Sequence, residues 1–192
     1  RHQDQEPAVL EGVETLTYNL APTEVLTEED IQTIHNASMR LLSETGMLLI
    51  DHAPALENLK ANGAKVDGEI VKIDEDTLMN FVNLAPKTFT QLARDDRNNV
   101  PVGGNRIIFA PVYGPAFVHD FDRGRRPSTL EDFHNFAKLV YMTPELHHAG
   151  GVLVEPNDVG VDERHLDMLM AHMTLSNKAF MGNVIHPDNA RD

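Results

Sequence analysis

Apolar and polar positions along this chain follow two different rhythms, and the change between them divides it. From Thr27 the pattern is helical, with Ile31, Ile34, Ser38, Leu41, Leu42 and Thr45 on one face. Thr27 and Asp30 make a capping-box-like pair at its start, with Asp where Glu or Gln is usual. Gly46 stands where a left-handed residue ends a helix. Met47 to Ile50 reads as a short strand, and Ala53 to Asn62 as a second helix stopped by Gly63. Val66-Asp67-Gly68-Glu69, between two apolar pieces, predicts a hairpin that turns at Asp-Gly. Asp74 caps a third helix, Glu75 to Leu84, which ends ahead of Pro86. Phe89 to Ala93 reads as a strand before a loop with Gly103 and Gly104. Residues 27–104 thus predict an α+β lead-in region. Residues 1–26 predict an N-terminal arm, interrupted by Pro7, Gly12 and Pro22.

From Arg106 the rhythm becomes strand, loop, helix. Ile107 to Ala110 predicts a strand, followed by a Pro/Gly/Tyr turn and a β-ribbon, Phe117 to Asp122, turning at Arg123-Gly124. Ser128 or Thr129 opens a helix over Leu130 to Met142, whose apolar face is Phe133, Phe136, Ala137 and Val140. His148 to Val154 predicts a second strand, with a helix from about Val161 to Leu175, and Ala179 to Ile185 a third. Three such beginnings in residues 105–192 predict the α/β class, as the start of a barrel or a doubly wound sheet.

In both architectures ligands gather at the carboxyl ends of the strands. Tyr113, Glu155, Asp158 and His186 lie at or just beyond those ends and are the candidate substrate-binding residues. Tyr113, with Phe117 or Phe121 and with Glu155 or Asp158, would make an aromatic and acidic box. Such a box suits a quaternary ammonium group, which has no hydrogen to donate and binds through cation–π and charge attraction. The competing reading makes the phenylalanines core and Asp158 a helix cap. Glu155, before Pro156, has no obvious capping duty, and His186 could serve as an acid or base or bond a backbone carbonyl. Neighbouring strand residues face opposite ways, so His147 and His148 read as a structural or solvent-exposed pair rather than joint metal ligands. His165, Met168, Leu169 and His172 read as a helix-packing face, and Arg164 as a local ion-pair partner.

Charge narrows the partners. The formal net charge of −14 argues against nucleic acid and against an anionic membrane surface. The chain has no cysteine, which excludes disulfides, thiolate nucleophiles and Cys-ligated metals within it. No Walker loop, GxGxxG or Ser-His-Asp order appears, and neither a membrane-length apolar run nor a signal-peptide core is present. A cytoplasmic enzyme or binding domain is the expectation.

YGPAFVHDFDRGRRPSTLEDFHNFAKL and GGVLVEPNDVGVDERHLDMLMAHMTLSNKAFMGNV resemble the trimethylamine methyltransferase (MttB-like) family, as do LTEEDIQTIHNASMRLLSETGMLLID and ANGAKVDG upstream. The resemblance runs from about Leu26 to the end. It implies a TIM (β/α)8 barrel, of which residues 105–192 would be the first three βα units. It also implies an activity: transfer of a methyl group from a methylated amine, such as trimethylamine or glycine betaine, to the corrinoid (cobalamin) of a partner protein, with no cofactor bound directly. Because family chains are longer, a barrel this incomplete would expose a sheet edge. Either the remaining units lie outside this chain or it forms a homo-oligomer. A noncatalytic binding or assembly module derived from the barrel, or a different barrel enzyme acting on an anionic substrate, are the alternatives.

Overall fold

The computed structural model describes residues 13–21 and 23–191. In chain order the first elements are β1 (Leu16–Thr17), α1 (Glu28–Arg40), β2 (Met47–Leu48), α2 (Ala53–Ala61), β3 (Lys65–Asp67), β4 (Ile70–Lys72) and α3 (Glu75–Val82). There follow β5 (Thr88–Gln91), β6 (Val100–Gly103), β7 (Arg106–Ile107), β8 (Phe117–Asp120), β9 (Gly124–Pro127), α4 (Leu130–Tyr141) and α5 (Arg164–Leu175). They fall into two compact units, residues 20–87 and residues 88–191 with 13–19.

In the 20–87 unit, local chemistry sets the helix ends. Thr27 and Asp30 form the reciprocal capping box of α1, which runs on through a π-helical turn, Leu41–Thr45, to Gly46 at φ 82°. Asp74 accepts the amide of Thr77 at the start of α3. The antiparallel sheet has the order β2-β4-β3. Asp67 pairs with Ile70, so the two-residue turn is Gly68-Glu69, one position later than the Asp-Gly expectation. Gly68 takes φ 58°, and the shift keeps Val66 opposite Val71. Val71 is fully buried, whereas Leu48 and Ile70, paired with each other, stay largely exposed.

In the other unit, β5 pairs with β6 and β1 with β7, all antiparallel. The strand β6 holds Pro101 and was not expected; proline has no N–H to give a ladder, which hides such strands from pattern reading. The helix α4, with Thr129 as N-cap in a second capping box, stands where the pattern put it. The β8–β9 hairpin instead turns over residues 121–123, ahead of the expected Arg123-Gly124, because Asp120 pairs with Gly124. Val118, Phe133, Ala137, Val140, Leu153, Val154, Met168 and Ala171 form the core between hairpin, α4, α5 and the segment before α5.

The three expected parallel strands do not form. Of 107–110 only Ile107 lies in a strand, β7, which pairs antiparallel with β1. Residues 148–154 and 179–185 are irregular, joined by a few backbone bonds of parallel sense. His147 N donates to Phe109 O and Gly114 N to Val152 O, while Ala149 N donates to Ala179 O and Met181 N to Gly150 O. Residues 147–155 therefore lie between 107–115 and 179–183. Two causes break the ladders. Pro111 and Pro115 lack N–H donors. In addition, Ala149 and Gly150 together fill the place that a regular parallel ladder gives one residue, which is a bulge.

Candidate functional site

The carboxyl ends of these segments bring Tyr113 and Glu155 onto neighbouring lines of backbone, since Glu155 N donates to Pro115 O at 3.0 Å. Tyr113 is 45% exposed and lies across a glycine pair. A Cβ on Gly150 would meet Tyr113 Cε1 at 3.2 Å and Pro111 Cγ at 2.7 Å, and one on Gly151 would meet Tyr113 Cε1 at 4.0 Å. Gly150 also takes φ 89°, a backbone that other residues seldom adopt. Burial raises the Tyr113 phenol above its usual range, so the ring stays neutral at physiological pH.

The carboxylates have partners. Glu155 Oε2 lies 3.4 Å from Arg164 Nη1, at the first residue of α5, with the Glu155 side chain 47% exposed. Asp158 Oδ1 accepts the Leu130 amide at 2.8 Å, so it caps α4 instead of the helix that follows it. His186 Nδ1 accepts the Asp188 amide at 3.3 Å within a local, exposed turn. The aromatic neighbours are also engaged: Arg125 covers the Phe117 ring at 3.7 Å, and Phe121 is fully exposed at the hairpin tip.

The two histidines have separate partners. His147 Nδ1 accepts the Phe109 amide and its ring stacks on Phe109 at 5.7 Å. His148 is buried; its Nδ1 accepts the Gly150 amide at 2.9 Å, which leaves Nε2 to donate to Gln91 at 3.1 Å. On α5, His165, Met168 and His172 are buried, as a packing face should be. His172 Nε2 donates to Gly151 O at 2.7 Å.

Two anchoring residues escaped the sequence reading. Lys178, 5% exposed, donates from Nζ to the carbonyls of Val140, Thr143 and Leu146 at 2.7–2.8 Å, closing the end of α4 and its following turn. Burial lowers its pKa to about 8, while the carbonyls solvate the charge. Its partners lie more than thirty residues away, so no local signal marks it. Arg126 grips Asp132 through two bonds, at 2.6 and 2.7 Å, and Asp120 at 3.0 Å. The guanidinium holds the Asp132 carboxyl well below its usual range, and the same bonds clip the β8–β9 hairpin to the capping box of α4. Arginine flanked by aspartates six residues away on either side was the available clue.

These features define a mixed α/β protein with an aromatic ring and carboxylates at the carboxyl ends of parallel segments. The chain belongs to the trimethylamine methyltransferase (MTTB) family, whose model it matches over residues 1–192. It is 39% identical over 168 residues to the glycine betaine methyltransferase of Desulfitobacterium hafniense (strain Y51), across 88% of this chain and 35% of that protein. With the proline betaine:corrinoid methyltransferase of Eubacterium limosum the identity is 31% over 166 residues, 84% of this chain and 33% of the relative. The trimethylamine methyltransferase MttB of Desulfitobacterium hafniense (strain DSM 10664 / DCB-2) is 28% identical over 115 residues, 58% of this chain and 23% of its own length. The chain thus spans about a third or less of each relative. Among the described residues no helix is long and apolar enough to cross a membrane.

Proposed function

We propose that this chain is the N-terminal part of a cytoplasmic methyltransferase that moves a methyl group from a quaternary amine, with glycine betaine the leading substrate, to a corrinoid protein. The observation that carries this reading is the 39% identity to a glycine betaine methyltransferase across 88% of the chain. The three parallel segments support their assignment as the first units of a (β/α)8 barrel. When docked, the corrinoid supplies the nucleophile that accepts the methyl group. This chain's residues act on the amine.

Tyr113 offers an exposed ring at the carboxyl ends, with no side chain on the glycines beside it. A trimethylammonium group can rest against such a face, with a gain of about 0.5–2 kcal/mol depending on how dry the contact is. Glu155 and Asp158 add negative potential, although Arg164 offsets part of the first and Leu130 N holds one oxygen of the second. His186 follows the third segment in an exposed turn with Asp188. The pocket's remaining wall comes from parts of the protein beyond these segments.

Calorimetric titration with glycine betaine, trimethylamine and carnitine, together with methyl transfer to cob(I)alamin by the full-length protein, tests the proposal. Binding of a quaternary amine that Tyr113→Ala weakens about tenfold is expected. A full-length protein that binds these amines but transfers no methyl group would instead establish a noncatalytic module.

A further inference from the structure

Two buried histidines hold the glycine pair beneath Tyr113, and the methyl-transfer reading gives them no task. We infer that His148 and His172 are positioning residues, which fix the Ala149–Gly150 bulge and the adjoining Gly151 as a floor for the Tyr113 ring and so set where the ammonium group rests. The inference builds on the substrate reading above for its last clause only.

The bulge creates the need. At Gly150 the backbone turns to φ 89°, and neither its amide nor the Gly151 carbonyl finds a partner on the neighbouring segments. Both groups belong to buried residues, so both need partners. One histidine accepts and the other donates: Gly150 N reaches His148 Nδ1 at 2.9 Å, and His172 Nε2 reaches Gly151 O at 2.7 Å. His148 is neutral with its proton on Nε2, because its Nδ1 accepts an amide. His172 carries a proton on Nε2, because a carbonyl can only accept, and its buried Nδ1 has no partner to hold a second one.

The rings are themselves fixed. His148 Nε2 donates to Gln91 Oε1, whose Nε2 donates to Phe180 O at 2.9 Å. His172 stacks on Phe180 at 5.1 Å and meets Phe133 edge-on at 5.3 Å. His172 Nδ1 is buried with no partner. A purely apolar packing role would be filled better by leucine, since that bare nitrogen is a desolvation cost. Histidine at this place is accounted for by the single bond from Nε2 to Gly151. Glycine at 150 and 151 leaves both Cα positions without side chains where Tyr113 lies.

The test uses the full-length protein without ligand. In the wild type, ring-current shifts and nuclear Overhauser contacts should join the Tyr113 ring to the Gly150 Hα protons, and both histidines should show the Nε2–H tautomer by nitrogen NMR. His172→Leu should abolish the Tyr113–Gly150 contacts, whereas His172→Gln, which keeps a donor, should restore them. Should His172→Leu not fold, Gln91→Met, which frees the outer edge of His148, is read by the same contacts and should weaken them. Unchanged contacts in the folded variants would overturn the inference, as would loss of contacts in Leu and Gln variants alike. Glycine betaine titration forms the second arm, with binding to His172→Leu about tenfold weaker than to wild type and His172→Gln close to wild type. Variant-dependent contacts in a wild type that binds no betaine would uphold the positioning role while counting against the substrate assignment.

Discussion

Asp158 Oδ1 accepts the amide of Leu130 at 2.8 Å, so a carboxylate from the loop after the second parallel segment finishes the helix after the first. Capping and negative charge can be separated here, because asparagine caps as well as aspartate. Asp158→Asn should leave thermal stability within about 0.5 kcal/mol of wild type, and Asp158→Ala should cost about 1 kcal/mol. If the charge also serves an ammonium ligand, the Asn variant alone loses affinity without losing stability. Melting curves and betaine titrations of the two variants check both halves.

Lys178 sets a larger stake. Replacing it with methionine keeps the stem and strands three carbonyls that now share one ammonium group. The expected loss is about 3 kcal/mol, or roughly 6–12 °C in melting temperature for a chain of this size. Lys178→Arg should not restore it, because a planar fork cannot point three donors from one atom. Urea denaturation of the two variants decides the matter.

Gly150→Ala brings a left-handed backbone and a clash together, with the new Cβ at 2.7 Å from Pro111 Cγ and 2.9 Å from Leu153 Cδ2. About 3 kcal/mol of destabilisation is expected from the two effects combined. Gly160→Ala, at a position with no neighbour within 4 Å and no positive φ, is the control and should change the urea midpoint little.

Much of the fold was legible because its signals are local. Thr27 with Asp30 and Thr129 with Asp132 are three residues apart, and both capping boxes formed as the spacing required. The parallel segments were readable as apolar runs, but their broken ladders were not. A glycine pair in a strand can be a neutral passenger or a bulge, and the distinction depends on partners such as Ala179 and Met181. In the candidate site, the sequence singles out Tyr113 by its place after an apolar run, whereas the partners of Asp158 and Glu155 come from two different helices and leave no local signal. Lys178 gave no sign, since a lysine near a strand start ordinarily reads as a solvated charge.

Two buried neutral histidines also fix a pH dependence. Burial, foremost, lowers both His148 and His172 from 6.5, and His148 is lowered further by its proximity to His172. Below that value the unfolded chain takes up protons that the folded chain refuses, so stability is full above 6.5 and falls as pH drops through it. The decline levels off once pH passes below the folded values. His172→Gln removes one of the two protons, and its stability curve between about pH 7.5 and 5 should be shallower by up to about 1.4 kcal/mol per pH unit. Equal slopes in the variant and wild type would refute this. A separate acid limb follows from Asp132, whose lowered pKa contributes stability above 3.8 that disappears as pH falls toward its folded value.

The helix α4 is finished by chemistry from both near and far along the chain. Thr129, Asp132 and Arg126 complete most of its first turn from within a few residues, but its final carbonyls await Lys178, thirty-eight positions after Val140. On a ribosome, that helix would begin as soon as its own residues emerged and would stay frayed at its end until the third parallel segment was made. The lysine thus acts as a clock mark, a residue whose arrival signals that enough of the α/β frame exists to be sealed.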